Sequence, residues 1–395
     1  MLSRRNMSTE LIQYLLEHEH DDPIKILLNR KTIAGYPPEF VANQLNCRKR
    51  AKEKLPTWYA NLAVTYPPKQ NLEQCSSEIT AKVKCNFIQS IAQQKSTLID
   101  LTGGFGVDSF FFSKIFEKVV HVEPNENLCR LAKENHAQLR ANNIEHVNQT
   151  AEKFLEYWSD QADWVFIDPS RKTEGKKLVK LSDCEPDVTQ LLPSLWAKTN
   201  QILIKAAPLL DIKEGLRQLA NTAHVLVVSV SNDCKEALFH LQKDFVGEPE
   251  VHCINLQSNS EQLFAFRIGE EAVAQSNFKE PQAFLYEPNA SILKAGAFKK
   301  IGAAFGLFKL AANTHLYTSE NKVEHFPGRV FRALGEITAQ AQLLPDGKAN
   351  VISRNHPLSP EDIKKKYHLR DGGERYVMAC STEKKKYLLI AERMQ

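Results

Sequence analysis

The sequence predicts an α/β fold, and three observations carry that prediction. Short apolar segments typical of buried strands alternate with helical patterns from Thr97 to about Gly269. The first of these segments runs directly into a turn with three glycines, and the second ends in an acidic residue. A chain of 395 residues can also bury the cores of two or three domains. We therefore expect a mostly parallel sheet with helices on both faces.

The glycine turn lies in the segment Thr97-Leu-Ile-Asp-Leu-Thr-Gly-Gly-Phe-Gly-Val-Asp-Ser-Phe110. Its apolar start predicts a buried strand, and its glycines allow positive φ and a close approach of the backbone to a ligand. Lys118-Val-Val-His-Val122 predicts the next strand, and Glu123 at its end can bind both hydroxyls of a ribose. These features fit a nicotinamide cofactor or S-adenosylmethionine. Asp100, which precedes the glycines, favours S-adenosylmethionine. An acidic residue suits a cationic ligand and would repel the pyrophosphate of a nicotinamide cofactor.

The glycine turn resembles motif I of class I S-adenosylmethionine-dependent methyltransferases. The resemblance implies a Rossmann-like sheet of seven strands and S-adenosylmethionine as the cofactor. Asp108 is expected either near the cofactor or as a helix cap, and Glu152 either beside the adenine or simply in the first turn of a helix. The predicted cofactor-binding residues are Asp100, Thr102, Gly103, Gly104, Gly106, Asp108, Glu123, Ala151 and Glu152.

Five further strands complete the predicted sheet, the last after a long polar insert. They are predicted at Glu145–Asn148, Trp164–Ile167, Gln201–Lys205, Val225–Val230 and Gln262–Ile268. Seven strands with an antiparallel edge match the methyltransferase sheet.

The fourth predicted strand ends in Asp168-Pro-Ser-Arg171, at the sheet edge where α/β proteins place their chemistry. This tetrapeptide resembles motif IV of amino methyltransferases, Asp/Asn-Pro-Pro-aromatic, in which the carboxylate and the next carbonyl orient a base amine. It also resembles the Asp-Pro-Pro/Ala-Arg of uracil C5 methyltransferases. We predict Asp168, Pro169, Ser170 and Arg171 as catalytic residues, and a tight turn that caps a helix is the alternative.

Two details refine the expected chemistry. A covalent C5 mechanism is disfavoured, because Val230 occupies the position of the nucleophilic cysteine and Cys234 follows where we expect a helix to begin. The pattern Asp100-x-Thr-x-Gly-x-Gly-x-Asp-x-Phe110 resembles the loop of small-subunit ribosomal RNA guanine N2-methyltransferases, with Ser109 in place of an alanine.

The regions on either side of the sheet differ from it in pattern. Residues 1–95 are expected to be helical, and Asn46–Lys54 carries five basic residues that suggest either a solvated helix face or a phosphate-contacting surface. The whole chain resembles a bacterial family of class I methyltransferase-like proteins with a C-terminal THUMP-like domain. This resemblance implies a methyltransferase domain over 96–272, a ferredoxin-like α+β segment over 280–325 and a THUMP-like domain over 326–395.

The C-terminal region is also the basic part of the chain. Residues 280–395 contain 18 Lys and Arg against 12 Asp and Glu, whereas the remaining 279 residues sum to a charge of −2. Cations lie beside aromatic residues in this region, an arrangement that can pair phosphates and stack bases. By analogy with true THUMP domains, we predict RNA binding by Arg329, Arg332, Arg354 and Lys364.

Composition excludes several other classes of protein. No apolar run approaches the roughly 20 residues that span a bilayer, and the N-terminus lacks the apolar core of a signal peptide, so we expect a cytoplasmic protein without a membrane partner. The eight cysteines form no Cys-x-x-Cys pair, so we expect neither a disulfide framework nor a metal.

The sequence thus indicates a methyltransferase that uses S-adenosylmethionine and acts on RNA, on a base amine in ribosomal or transfer RNA. A non-catalytic RNA-binding protein with a vestigial methyltransferase domain is the alternative, suggested by the missing aromatic after Pro169 and the uncharged Thr150. A small-molecule methyltransferase is disfavoured because it leaves the basic C-terminal region without a role.

Overall fold

The computed structural model describes residues 7–28, 31–171, 180–258, 260–338, 344 and 347–394, with Arg171 described for its backbone alone. The chain divides into two compact units. The first comprises Met1–Ala206 and His240–Asp244, and the second comprises Ala207–Phe239 and Phe245–Gln395.

The first unit begins with helices, as the sequence predicts. Within the described residues they are α1 Thr9–Glu17, α2 Pro23–Leu27, α3 Pro38–Lys54, α4 Pro56–Ala60, α5 Lys69–Gln74 and α6 Glu78–Ile91. Polar side chains cap three of them: Ser8, Asp22 and Ser77 each accept a hydrogen bond from a backbone N–H in the first turn. These caps account for where α1, α2 and α6 begin.

The basic residues of α3 bind mostly to other parts of the first unit. The Arg48 guanidinium lies 4.2 Å from the centre of the Tyr59 ring, and its Nη1 donates to the Tyr59 carbonyl at 3.0 Å. Lys54 Nζ donates to the Leu72 and Glu73 carbonyls at 2.8 and 2.7 Å, and Arg50 pairs with the Glu73 carboxylate. This segment therefore packs the helices together, which favours a structural role over a phosphate-contacting surface.

Strands and helices then alternate. In order they are β1 Thr97–Asp100, α7 Val107–Phe112, β2 Lys118–Val122, α8 Glu126–Gln138, β3 Ile144–Val147, α9 Ala151–Tyr157, β4 Trp164–Ile167, β5 Ser170–Arg171, the 3₁₀ turn Leu181–Asp183, β6 Cys184–Glu185, α10 Val188–Trp196 and β7 Gln201–Ala206. Five of the strands lie parallel in the order β7-β4-β1-β2-β3. The order reverses between β1 and β4, so their carboxyl ends form the crevice where α/β sheets bind ligands.

The second unit opens with α11 Ile212–Gln218, β8 Thr222–Val230, β9 Asp233–Gln242, β10 Glu250–Gln257, β11 Ser260–Arg267 and α12 Ile268–Val273. These strands follow the order β11-β10-β8-β9, with β10 parallel to β8 and antiparallel to β11. The last three residues of β9 belong to the first unit.

Two sequence predictions are wrong in this region. Cys234 lies in β9 and does not begin a helix, and the polar insert before the last predicted strand contains both β9 and β10. In β10 the buried Val251 and Cys253 alternate with half-buried Glu250 and His252, the period of a strand whose two faces differ in exposure. The polar residues of this alternation are the reason that the sequence indicated a polar insert here and not a strand.

Over its described residues, the rest of the second unit is a seven-stranded sheet with three helices. Its elements are β12 Phe284–Pro288, α13 Ala290–Ala295, α14 Lys300–Ala304, β13 Phe308–Ala311, β14 Thr314–Ser319, β15 Gly328–Glu336, β16 Asn350–Arg354, α15 Pro360–Tyr367, β17 Arg375–Ser381 and β18 Lys386–Arg393. The strand order is β13-β14-β12-β15-β18-β17-β16. Two apolar clusters form the core of this part of the unit. One includes Phe331 and Met378, and the other includes Ile363 and Val377.

The ferredoxin-like and THUMP-like segments predicted from the sequence contribute to this one sheet. β12 precedes residue 326, β15 follows it, and the two strands pair antiparallel from Phe284 to Pro288. Across the described part of both units, no helix combines the length and the apolar character needed to cross a membrane.

Candidate functional site

The glycine turn after β1 lies against two histidine rings of the first unit. Gly104 and Gly106 have φ of +55° and +87°, which side chains other than glycine rarely adopt. A Cβ on Gly103 would lie 2.2 Å from the ring of His121, and one on Gly106 would lie 2.6 Å from the ring of His136. Glycine is therefore required at these positions by conformation and by packing.

Three buried or partly buried histidines lie together next to this turn. His136 Nε2 donates to the Gly106 carbonyl at 2.9 Å, and its Nδ1 lies 2.8 Å from His146 Nε2. The His121 ring centre is 5.2 Å from that of His146. Burial lowers the pKa of His136 to about 3 and that of His146 to about 4, so both rings are neutral near pH 7. The cluster gives the turn a rigid, uncharged support.

Asp100, at the end of β1, is 1% exposed and bonds within the loop. Its Oδ2 accepts from Ser109 Oγ at 2.5 Å and its Oδ1 from Thr102 N at 3.2 Å, while Ser109 Oγ also lies 2.9 Å from His121 Nδ1. Burial raises the pKa of Asp100 to about 7, because the carboxylate is removed from water. Asp100 thus shapes the loop from inside, whereas the sequence interpretation had it facing a cationic ligand.

Glu123 follows β2 and reaches the glycine turn from the other side. Its Oε2 accepts from Gly104 N at 2.9 Å and its Oε1 from Asn125 N at 2.8 Å. Burial raises the pKa of Glu123, and these two backbone hydrogen bonds oppose that shift. Asn148 Nδ2 donates to the Glu123 carbonyl at 2.8 Å, which ties the end of β3 to the same place.

The predicted adenine-side residues open α9. Thr150 is the N-cap and accepts from Lys153 N, Ala151 is buried, and Glu152 is exposed in the first turn. Glu152 thus lies in the first turn of a helix, where the helix dipole favours an acidic residue, which is one of the two positions expected from the sequence. A contact of Ala151 or Glu152 with a cofactor stays a prediction.

Asp108 forms a buried ion pair that sequence reasoning missed. Lys84 of α6 is 0% exposed, and its Nζ lies 3.0 Å from Asp108 Oδ1 and 3.1 Å from Ser76 Oγ. Ser76 Oγ donates to the other Asp108 oxygen at 2.6 Å. Asp108 is not the cap of its helix, since Gly106 holds that position and no side chain caps it. The carboxylate joins the N-terminal helices to the glycine turn.

Asp168, at the end of β4, is bonded directly to the glycine turn. Its backbone N–H donates to Thr102 Oγ1 at 2.6 Å. Its carboxylate Oδ2 forms an ion pair with Lys205 Nζ of β7. The side chain of Asp168 is 30% exposed and that of Lys205 is 14% exposed. Lys205 was missed in the sequence, although a lone lysine near the carboxyl end of an apolar strand is the signal that could have found it.

The residues after Asp168 form a short ribbon and not a helix cap. Ser170 in β5 pairs with Glu185 in β6, and its Oγ donates to the Glu185 carbonyl at 3.3 Å. Pro169 is half-buried between Asp168 and this ribbon. The side chain of Arg171 lies outside the described residues. The catalytic roles predicted for Pro169, Ser170 and Arg171 stay predictions.

Arg329 and Arg354, predicted to bind RNA, share one buried carboxylate in the second unit. Arg329 Nε donates to Glu287 Oε2 at 2.7 Å, and Arg354 Nε donates to Glu287 Oε1 at 2.8 Å. Glu287 is 2% exposed, so the pair of guanidinium groups neutralises a charge that would be costly to bury alone.

The other two predicted RNA-binding cations are also paired. Arg332 of β15 and Arg375 of β17 both form ion pairs with Glu392 of β18. Lys364 Nζ lies 2.7 Å from Asp371 Oδ1. These contacts give each cation a structural role, and RNA binding by the four stays a prediction.

Cys234 of β9 lies in the second unit with its thiol partly buried. Burial raises the pKa of this thiol, so it stays protonated and weakly nucleophilic at neutral pH. Such a thiol is unsuited to the covalent C5 mechanism, which the sequence also disfavoured.

The C-terminal part of the chain matches two family models. One describes a ferredoxin-like domain, over residues 284–327, and the other a THUMP domain-like region, over residues 331–393. The chain is also similar to the crystal structure of a candidate methyltransferase from Porphyromonas gingivalis W83, with a TM-score of 0.85, 28% identity and 98% of each chain covered. These matches support the resemblance to class I methyltransferase-like proteins with a C-terminal THUMP-like domain that the sequence indicated. The fold class predicted from the sequence is thus confirmed.

Curated relatives from two strains of Mycobacterium tuberculosis cover less of the chain. Each is described as an uncharacterized S-adenosylmethionine-dependent methyltransferase and is 21% identical over 213 residues, which is 52% of this chain. The chain spans 56% of the length of these curated relatives.

Proposed function

We propose that this chain is an S-adenosylmethionine-dependent methyltransferase that acts on RNA, on an exocyclic amine of a base in ribosomal or transfer RNA. One observation carries the proposal: the Asp168 N–H donates to Thr102 Oγ1 at 2.6 Å. This bond joins the glycine turn to the Asp-Pro turn, so a ligand held by the first would be beside the carboxylate of the second.

The residues of the glycine turn fit the proposed cofactor. Gly103 and Gly106 have no Cβ, and Gly104 presents its N–H to a carboxylate that could also accept from ribose hydroxyls. Glu123, Gly104 and Thr102 are the residues that would hold it. S-adenosylmethionine supplies a methyl group on a cationic sulfonium. The curated relatives' description as S-adenosylmethionine-dependent methyltransferases supports the same cofactor.

Asp168 would accept a hydrogen bond from the target amine and orient its lone pair. The Lys205 ammonium pairs with Oδ2, so Oδ1 is the oxygen that would accept from the target amine. The same ammonium disfavours positive charge on the attacked nitrogen. We therefore infer that the methylated nitrogen gives up a proton to Asp168 Oδ1 after the transfer, and no general base beyond Asp168 is required.

The C-terminal sheet would bind the RNA. The THUMP domain-like match and the surplus of cations over residues 280–395 support this assignment. The side chains of Arg332 and Arg354 are 53% and 41% exposed despite their ion pairs, so their remaining N–H groups can reach a phosphate.

The alternative, a non-catalytic RNA-binding protein, draws on the same ion pair. In that case Lys205 would be the permanent partner of Asp168, in the place of a substrate amine. The absence of a stacking aromatic after Pro169 fits this alternative as well. Cofactor binding separates the two proposals.

Titration calorimetry with S-adenosylhomocysteine tests the proposal, with the wild type beside Glu123→Ala. We expect binding in the micromolar range and a loss of roughly 10- to 100-fold in the variant, because hydrogen bonds to a charged acceptor contribute about 1.5–3 kcal/mol. Glu126→Ala, on the exposed first turn of α8, is the matched control and should bind as the wild type does.

Absence of binding to the wild type at millimolar ligand would favour the non-catalytic alternative. Equal binding by Glu123→Ala and the wild type would instead remove Glu123 from the cofactor site. A circular dichroism spectrum of each variant shows whether a lost affinity reflects a lost fold.

A further inference from the structure

Two histidines and a glutamate meet on neighbouring strands of the second unit. His224 of β8 lies opposite Glu250 of β10 in the parallel register. His252 is two residues further along β10, so it lies on the same face of the sheet as Glu250. The three side chains are 25%, 38% and 30% exposed. No part of the proposed methyltransferase site uses them.

Their donor atoms form a compact triangle. His224 Nδ1 and His252 Nε2 are 3.1 Å apart, and Glu250 Oε2 lies 3.8 Å from the first and 3.5 Å from the second. A tetrahedral zinc ion with bonds of about 2.0–2.1 Å separates its ligand atoms by roughly 3.4 Å. The side chains thus present three donor atoms at the spacing of one face of a zinc tetrahedron.

We propose that His224, Glu250 and His252 bind a divalent zinc ion, with water as the fourth ligand. Partial exposure of all three side chains leaves room for that water. The donor set also selects the class of ion, because two imidazoles and one carboxylate suit zinc and its first-row neighbours, whereas magnesium and calcium prefer oxygen ligands alone. Such an ion would join β8 to β10.

The sequence prediction of no metal considered cysteine spacing alone. Two ligands on one face of a strand are separated by one residue, as Glu250 and His252 are by Val251. The third ligand, His224, lies 26 residues before Glu250 on another strand. Only the register of β8 against β10 brings His224 to that pair.

The test uses the 395-residue chain after treatment with a chelator. One sample is titrated with zinc chloride in a calorimeter, and a second is titrated with cobalt chloride while its visible absorbance is recorded. We expect one zinc ion per chain. Cobalt should give the visible bands of a tetrahedral site without a thiolate charge-transfer band, which distinguishes these ligands from the eight cysteines. Zinc should also raise the melting temperature.

His252→Gln and Glu250→Gln should each weaken zinc binding at least tenfold and abolish the rise in melting temperature. His20→Gln, at an exposed histidine of the first unit, is the control and should leave both unchanged. The proposal is overturned if the wild type binds no zinc, or if both cluster variants bind it as tightly as the wild type does. Using two variants guards against a folding defect in one of them.

Discussion

Asp168→Ala is expected to lower methyl transfer by roughly 10²- to 10³-fold, the usual loss when one preorganised polar partner of a transition state is removed. Affinity for S-adenosylhomocysteine should stay within a few-fold of the wild type. The reason is that Thr102 Oγ1 accepts from the backbone N–H of residue 168, which survives the substitution. The measurement is single-turnover transfer of a labelled methyl group to RNA from cells that lack the enzyme, with calorimetry alongside.

Two further variants separate the roles of the carboxylate. Asp160→Ala removes an exposed carboxylate from the same unit and should transfer at the wild-type rate. Asp168→Asn keeps an accepting oxygen but loses the ion pair with Lys205, so its rate should lie between those of Asp168→Ala and the wild type. Undiminished turnover by Asp168→Ala would remove this residue from the catalytic step.

Local patterns in the sequence were sufficient to predict the centre of the first unit. The predicted strands at Thr97–Asp100, Lys118–Val122 and Trp164–Ile167 are β1, β2 and β4 within a residue. Each is a short apolar run that ends at a glycine or an acidic residue, so the signal lies within a few neighbouring positions.

Partners that are distant in sequence could not be predicted in this way. Lys205 meets Asp168 across 37 positions, and Lys84 meets Asp108 across 24. The place of Lys205 near the end of an apolar strand marks that lysine as unusual, but no local pattern identifies the partner of either lysine, and most lysines lie in solvent. Asp100 shows that the same limit applies within the glycine turn: its residue type suggested a ligand contact, and its bond to Ser109, nine positions later, was not predicted.

The buried ion pair predicts a large effect on stability. Lys84→Met should destabilise the first unit by about 3–5 kcal/mol, since it leaves the Asp108 carboxylate buried without its cation. Lys82→Met, two positions earlier on the same helix, is the matched control. Lys82 Nζ is 3.9 Å from Glu78 Oε2 with its side chain 59% exposed, and such a surface pair contributes at most about 1 kcal/mol. Urea unfolding of the three proteins measures the difference.

A second substitution distinguishes the lost ion pair from lost packing. Lys84→Met combined with Asp108→Asn should recover most of the stability, because the buried charge that Lys84 neutralised is then absent. Lys84→Met should also bind S-adenosylhomocysteine less tightly at temperatures where it begins to unfold, whereas the double variant should keep its affinity there, since Asp108 lies in α7 directly after the glycine turn. If Lys84→Met unfolds at the same urea concentration as Lys82→Met, the ion pair between Lys84 and Asp108 does not stabilise the glycine turn. If the double variant is as unstable as Lys84→Met, the loss comes from packing around the lysine side chain and not from the uncompensated carboxylate.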